Sequence, residues 1–279
     1  MATIRLMTPA DLPAMAALAD EAVRNGLVGR PLWETEADAA AELGMARRVF
    51  VVAEDDAGAV LGMAGYRLRH SGEAEIYGPL VTVEGEGVGA WLESRITALA
   101  EQAGATGFSL LLGRENKSGQ AWAEWRGYLR DSEAPELLIT WLYPGELQAV
   151  ALGAGAVRRA MPADLERIES LVHDCLPARR TLVDSWLEHA WVIEEAGTVV
   201  GCLRLEPATA EIDYLCVEPA RRRQGLGARL IAEVVQVVWQ TEPHRKLVLG
   251  VPLDDVAPVS LFRRMGFRRE IAVGRWSKR

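Results

Sequence analysis

The sequence repeats itself once, and this repeat constrains the fold more than any other feature of the chain. The tetrapeptide Pro-Ala-Asp-Leu at residues 9–12 recurs at residues 162–165, 153 positions later. Further on, Gly127-Tyr128 corresponds to Gly266-Phe267, 139 positions later. A repeat of this length indicates duplicated domains and not a solenoid of short units. We therefore predict two related domains, residues 1–146 and residues 156–279, joined by a linker over residues 147–155.

Composition is that of an ordinary globular protein. Of the 279 residues, 49% are hydrophobic and 25% are charged, which allows one large or two small domains. The three cysteines show neither metal-type nor disulfide-type spacing, and the N-terminus lacks an apolar signal core. No run approaches the ~18 apolar residues of a membrane helix. We expect a cytoplasmic protein with no metal and no membrane partner.

The charge is unevenly distributed between the two halves. Residues 1–150 hold 12 Lys and Arg and 22 Asp and Glu, a net charge of −10. Residues 151–279 hold 19 and 17, a net charge of +2. Binding of a diphosphate therefore suits the second half better than the first. Neither half shows the basic stripe of a nucleic-acid-binding protein, so no nucleic-acid partner is expected.

Hydrophobic periodicity predicts the same order of elements in each half. In the first, a helix opens at residue 9 after an initial strand, and the remaining helices are at 34–47, 87–103 and 118–126. The predicted strands of the first half are 4–7, 49–54, 60–68, 73–81, 108–112 and 136–143. Those of the second half are 156–160, 191–195, 199–205, 211–217, 246–250 and 267–276, and its helices are 164–175, 182–189, a long one from 226, and 256–264. The second half ends one strand early, and residues 147–152 or the other domain are the candidates to complete its sheet.

A glycine-bearing turn with arginines joins the strand over residues 211–217 to the long helix. The first N–H groups of a helix have no acceptor within the helix, and they form a natural site for phosphate. A side chain at Gly225 or Gly227 would block close approach of a ligand to these groups, and glycine tolerates the tight backbone. The three arginines at 221–223 add planar donors that suit phosphate oxygens. The alternative reading is a surface turn with solvated arginines.

Three motifs of the second half are similar, in type and in their order along the chain, to those of the GNAT superfamily of N-acetyltransferases. Arg222-x-x-Gly225-x-Gly227 resembles the family's acetyl-CoA diphosphate loop, and residues 210–219 resemble its fourth strand. Residues 255–267, ending in Gly-Phe, resemble its last helix. The resemblance implies the α+β class, with two GNAT-like domains that each have a mixed, mostly antiparallel central sheet flanked by helices. It also implies acetyl-CoA as co-substrate and a small-molecule or peptide amine as acceptor.

The resemblance implies a set of site residues. The residues expected to contact the CoA are Leu215, Cys216, Val217, Arg222, Arg223, Gln224, Gly225, Leu226, Gly227, Ala228 and Asp255. Of these, Leu215, Cys216 and Val217 would line the pantetheine, and the side chain of Cys216 is expected to pack and not to react. Asp255 stands where the family often has Asn, as the N-cap of the last helix.

Glu211 is the candidate general base, because it lies on the strand beside the thioester in an Ala-Glu-Ile context similar to that of the histone-acetylating branch. Most of an alkylamine is protonated at neutral pH, since its pKa is near ~10.4, so a base is useful. The rivals are Asp213 and Glu206, and the plain alternative is an exposed strand glutamate. Phe262 occupies the position where many members carry a tyrosine that protonates the leaving thiolate. We expect Phe262 to be a core aromatic.

The first half departs from the diphosphate motif. Glu84 stands at the position of Arg222 and Glu86 at that of Gln224, and two carboxylates beside a diphosphate are repulsive. Ala123 replaces Phe262, whereas Asn116 is kept. We predict a degenerate GNAT-like domain that does not bind acetyl-CoA.

Two other functions remain open at this point. One is a non-catalytic acyl-CoA-binding protein, which would keep the loop but need no base. The tandem layout is also similar to that of mycothiol synthase, which acetylates an amino-sugar cysteine conjugate. A nucleotide-binding loop is disfavoured, because no Lys-Ser/Thr pair follows the glycines.

Overall fold

A computed structural model describes residues 2–24, 33, 35–45, 47–69, 71–82, 87–175, 184–206 and 209–279. The strands of the described chain are β1 (Thr3–Leu6), β2 (Arg48–Glu54), β3 (Val60–Leu68), β4 (Glu73–Val81), β5 (Gly107–Gly113), β6 (Leu129–Arg130), β7 (Leu137–Leu142), β8 (Ala156–Arg159), β9 (Ala190–Glu195), β10 (Thr198–Glu206), β11 (Glu211–Val217), β12 (Leu247–Pro252) and β13 (Arg268–Lys278). The α-helices are α1 (Leu12–Arg24), α2 (Glu36–Leu43), α3 (Val88–Gln102), α4 (Lys117–Trp125), α5 (Leu165–Cys175), α6 (Leu226–Thr241) and α7 (Val256–Arg264).

The predicted order of elements is confirmed, and the bounds of most strands and helices differ from the predicted ones by one or two residues. The helix predicted over residues 34–47 is α2, which ends at Leu43 with Gly44 as its C-cap; residues 34 and 46 lie outside the described chain. The helix predicted over 182–189 is a 3-10 helix, Asp184–His189, and residues 182–183 lie outside the described chain. Strand β6 was not predicted, because two residues are too few to show a period.

The chain forms two compact units, and their membership does not follow the sequence repeat. Unit 1 comprises Met1–Leu138 and Ile271–Arg279, and unit 2 comprises Ile139–Glu270. Residues 139–142 of β7 therefore belong to unit 2, where they lie beside β12. The strand that unit 2 lacks in its own sequence copy is thus supplied by the end of the first copy. The assignment of residues 1–146 and 156–279 as domains stays a prediction.

Unit 1 has a mixed sheet. Strands β1 to β4 are consecutive and antiparallel, β4 and β5 are parallel, and residues 273–278 of β13 run antiparallel to β5. Helix α3 buries Leu92 and Ile96 in one core cluster of this unit. Met15 of α1 and Phe50 of β2 belong to a second cluster.

Unit 2 has an antiparallel sheet, β8-β9-β10-β11, to which β12 adds in parallel. Helix α5 packs on a cluster that includes Cys202 and Cys216. Helix α6 buries the apolar stripe that its spacing predicts. Its members, each at most 8% exposed, are Leu226, Leu230, Ile231, Val234, Val235 and Val238. Each such side chain stabilises the unit by on the order of 2 kcal/mol when it is removed from water.

Each repeated Pro-Ala-Asp tripeptide holds a buried aspartate that binds an arginine six residues before it. Asp11 accepts two hydrogen bonds from Arg5, at 2.7 and 2.8 Å, and one from the N–H of Thr8 at 2.8 Å. Asp164 accepts the same set from Arg158 and from the N–H of Met161. The aspartates therefore fix the start of α1 and α5. The arginines were not predicted as partners of these aspartates, although they also repeat at an offset of 153 residues.

We expect Asp11→Asn to reduce the free energy of unfolding by about 2 kcal/mol at pH 7. The hydrogen bond from Arg5 outweighs burial and lowers the pKa of Asp11 from 3.8 to about 2. A lowered folded-state pKa stabilises the protein above pH 3.8. This contribution is lost as the pH falls toward 2. Urea titrations should show a difference in the free energy of unfolding between wild type and variant, and this difference should close over that pH range.

The control for this prediction is Asp20→Asn. Asp20 pairs with Arg24 one turn along α1, and Arg24 is 63% exposed. Such a surface pair is worth roughly 0.3–0.5 kcal/mol. A gap between wild type and Asp11→Asn that stayed constant from pH 7 to pH 2 would contradict the assigned role of Asp11.

Candidate active site

Strands β11 and β12 form a fork at the centre of unit 2. They pair in parallel at two positions only, Glu211 with Val248 and Ile212 with Leu249, and then separate. The register of β11 against β10 shifts at Asp213, which is an extra residue on β11. Such a bulge bends its strand and increases the local twist. At the other side of the fork, Pro252 ends β12 and has no N–H to continue the pairing.

The backbone of β11 offers hydrogen-bonding groups to the inside of the fork. The N–H of Glu218 donates to the carbonyl oxygen of Val200 at 2.9 Å. Antiparallel pairs alternate between hydrogen-bonded and non-hydrogen-bonded positions, so Cys216 points its backbone toward β10. The backbone N–H and C=O groups of Leu215 and Val217 point away from β10, toward the space between β11 and β12 where the two strands have separated. These two residues, and not Cys216, therefore present backbone groups to the fork.

Three carboxylates lie near the closed end of the fork. Glu211 and Glu206 are directly opposite each other on β11 and β10. Arg204, only 14% exposed, forms an ion pair with Asp213 and lies 3.6 Å from Glu206. One guanidinium thus neutralises both rivals of Glu211. Glu211 itself is half-buried, between Glu206 on one strand and Val248 on the other.

The loop before α6 has the geometry expected of an anion site. Gly225 is the N-cap, with a φ of 80°, in the left-handed region that favours glycine. The first hydrogen bond within the helix runs from the N–H of Arg229 to the carbonyl oxygen of Gly225, at 3.0 Å. The N–H groups of residues 226–228 consequently have no acceptor within the helix. Arg223 and Gln224 are exposed beside them.

The guanidinium of Arg222 contacts neighbouring residues of the protein. Its Nε donates to the carbonyl oxygen of Val217 at 3.1 Å, and another nitrogen lies 3.3 Å from the sulfur of Cys175. Arg222 therefore fixes the turn to the end of β11. The remaining hydrogen-bonding capacity of its guanidinium faces solvent, since the side chain is exposed.

The two loop glycines differ in what they permit. A Cβ on Gly227 would lie 3.7 Å from Leu261 and 3.8 Å from Leu215 and Val217, which is ordinary contact. The protein itself would therefore accept a Cβ at this position, and the expectation that a side chain at Gly227 blocks phosphate stays a prediction. A Cβ on Gly225 would lie 2.5 Å from the backbone nitrogen of Gly153. The space outside Gly225 is occupied by the linker.

Hydrogen bonds and burial disfavour the thiolate form of Cys216 and Cys175, which lie near the loop. Cys216 is 1% exposed, and Cys202 lies opposite it on β10. The hydrogen bond with Cys175 lowers the pKa of Cys216, but a hydrogen bond with Cys202 and burial outweigh it and raise this pKa to about 12. The hydrogen bond with Cys216, followed by burial, raises the pKa of Cys175. Because only the thiolate is a good nucleophile, Cys216 is a packing residue.

The N-cap residue of α7 forms no capping hydrogen bond with its side chain. Asp255 occupies the N-cap position, but its exposed carboxylate makes no cap hydrogen bond. In unit 1 the corresponding Asn116 accepts from the N–H of Gly119 at 2.8 Å. The third residue of α7 is Pro258, which has no N–H to donate. The prediction that aspartate caps α7 as well as asparagine is wrong for this reason. Phe262, 6% exposed, is a core aromatic as predicted, and it packs edge-on against Phe267.

Unit 1 keeps the framework of the same site. Strands β4 and β5 pair only from Glu73 to Glu75 and then separate. Gly87 is the N-cap of α3, with a φ of 76°. Glu84 and Glu86, which carry the prediction of a degenerate loop, lie outside the described residues. That unit 1 does not bind acetyl-CoA stays a prediction.

A sequence comparison identifies the segment that contains this site. Residues 186–269 match the domain family described as the acetyltransferase (GNAT) domain. This segment is a GNAT acetyltransferase domain. The match includes Glu211, the fork, the glycine loop and α7. No curated protein matches the chain by sequence.

Solved structures extend the likeness of fold to the whole chain. A GCN5-related N-acetyltransferase from Sphaerobacter thermophilus is similar with a TM-score of 0.73 and 18% identity, over 99% of this chain and 95% of that one. A tandem GNAT protein from the clavulanic acid biosynthesis pathway is similar with a TM-score of 0.66 and 14% identity, over 100% and 98%. These matches confirm the α+β fold and the tandem layout. They do not bear on mycothiol synthase, so that similarity stays a prediction.

The residues that the structure describes include neither a metal-binding cluster nor a membrane-spanning helix. No group of three or more His, Cys, Asp or Glu side chains is placed to hold a metal ion. No helix in this part of the chain is both long enough and apolar enough to cross a membrane.

Proposed function

We propose that this chain is an acetyl-CoA-dependent N-acetyltransferase that moves an acetyl group to a primary amine of a small molecule or peptide. The observation that carries the proposal is the fork between β11 and β12, open beside the N-terminus of α6 within the segment that matches the GNAT domain. The fork and the helix N-terminus together offer two sets of backbone donors at neighbouring places. One set suits an amide-containing chain with a thioester, and the other suits a diphosphate.

The residues present fit a CoA ester. The N–H groups of residues 226–228 and the exposed side chains of Arg223 and Gln224 would hold the diphosphate. Leu215 and Val217 would hold the pantetheine through their backbone, because these groups face the fork. Arg222 keeps the turn in place through its hydrogen bond to Val217.

Glu211 would act as general base. The co-substrate supplies an acetyl thioester, in which a C–S bond breaks as the amine forms a C–N bond. Glu211 takes the proton that the attacking nitrogen must lose. The N–H of Leu215 or Val217 stabilises negative charge on the carbonyl oxygen, which is worth on the order of 3 kcal/mol. Phe262 has no proton to give the leaving sulfur, which leaves as a thiolate or takes a proton from water.

Titration calorimetry with acetyl-CoA, followed by thiol release over a panel of amines, tests this function. We expect saturable binding and thiol release that depends on both acetyl-CoA and at least one amine. Binding without amine-dependent thiol release over the panel would favour a non-catalytic acyl-CoA-binding protein. Absence of binding would refute the proposal.

A further inference from the structure

The linker lies against both glycine motifs of unit 2. We call residues 146–153 the strap. The N–H of Gln148 donates to the carbonyl oxygen of Met265 at 2.9 Å. A Cβ on Gly266 would lie 2.0 Å from the carbonyl oxygen of Glu146. The strap thus begins at the C-terminal end of α7, over the Gly-Phe motif.

The other end of the strap lies at the N-terminus of α6. A Cβ on Gly225 would lie 2.5 Å from the nitrogen of Gly153 and 2.9 Å from the carbonyl oxygen of Ala151. Reciprocally, a Cβ on Gly153 would lie 2.5 Å from the oxygen of Gln224 and 2.9 Å from the nitrogen of Leu226. The two backbones are therefore in contact at a helical amide that the proposed diphosphate would use.

The strap is weakly held at this end. Residues 147–153 are all described, and none of them is in a helix or strand. Leu152, which could anchor the strap by burial, is 43% exposed. The backbone hydrogen bond at Gln148 lies at the opposite end of the strap, beside α7. A segment with few buried side chains and little backbone bonding opens at low free energy.

We propose that the strap is a gate on the CoA site. Residues 151–153 lie where a phosphate oxygen would approach the N–H of Leu226, so ligand and strap compete for the first turn of α6. Binding of CoA displaces residues 151–153 from Gly225, while Gln148 keeps the strap attached at α7. This inference rests on the proposed function, because it needs a diphosphate at that helix terminus.

The variant Gly153→Ala tests the gate without changing the sequence of the loop. The φ of Gly153 lies outside the left-handed region, so alanine is accepted there, but its Cβ would collide with Gln224 and Leu226. The strap must then move away from α6. We expect CoA to bind roughly tenfold more tightly, because a closed strap reduces the population that is competent to bind. Gly44→Ala is the matched control, since the nearest atom to its Cβ is 3.9 Å away.

Hydrogen exchange gives a second readout on the wild-type chain. Amides of residues 149–153 should exchange faster when CoA is added, whereas those of α6 should exchange more slowly. Equal CoA affinity in Gly153→Ala and wild type, or slower exchange of the strap with CoA, would overturn the gate and leave the proposed function intact. No binding of CoA to either protein would overturn both. Should Gly153→Ala fail to fold, the wild-type exchange measurement decides alone.

Discussion

Glu211→Gln is expected to lower the turnover number by roughly 10²–10⁴-fold, the usual contribution of a positioned base. Glutamine keeps the shape of the side chain but cannot take the proton of the attacking amine. Acetyl-CoA should bind as to wild type, because the loop and the fork backbone that would hold it are unchanged. Calorimetry with acetyl-CoA and a thiol-release assay with a substrate amine separate these two effects. Unchanged turnover would exclude Glu211 as the base.

Asp213→Asn and Glu206→Gln are the matched controls for the base. Both carboxylates already interact with Arg204, which holds their negative charge. We expect each variant to lose less turnover than Glu211→Gln. A larger loss in Asp213→Asn would transfer the role of base to Asp213.

The elements that position the site were predictable from the sequence because each has a strong local period. The bounds of β4, β11 and α7 were predicted to the residue, and the buried stripe of α6 was read from its spacing. The need for glycine at position 225 was predicted from the tight turn between strand and helix, and the positive φ there favours this residue. Local chemistry decides all of these features.

Other features depend on contacts between distant parts of the chain. The bend at Asp213 comes from one extra residue relative to β10, which no pattern within β11 shows. Gly225 was predicted as part of a ligand-binding motif and Gly266 as part of a motif of the fold. A side chain at either position would also collide with the strap. The missing capping hydrogen bond of Asp255 could have been predicted from the sequence, because Pro258 stands where a backbone N–H donor is needed.

Glu93→Ala is expected to reduce the free energy of unfolding by about 3–5 kcal/mol, because it removes the buried member of a charge cluster and leaves two partly buried cations and the hydroxyl of Tyr128 without their acceptor. Glu93 lies on α3 in unit 1, and its side chain is 0% exposed. It accepts from Nε of Arg126 at 2.9 Å and from the hydroxyl of Tyr128 at 3.0 Å, and Lys278 lies 3.4 Å away. Burial, followed by the charge of Glu93, raises the pKa of Tyr128, so this hydroxyl stays a donor.

Urea denaturation of Glu93→Ala, Glu93→Gln and Glu101→Ala measures the contribution of the buried charge. Glu101 is exposed near the end of the same helix, so its removal should change the stability by less than about 0.5 kcal/mol. Glutamine at position 93 can still accept from Tyr128 and Arg126, and this variant should fall between the other two. Because Lys278 lies on the part of β13 that belongs to unit 1, Glu93→Ala should also loosen the C-terminal strand. Equal denaturation midpoints for Glu93→Ala and wild type would mean that this carboxylate does not stabilise the unit.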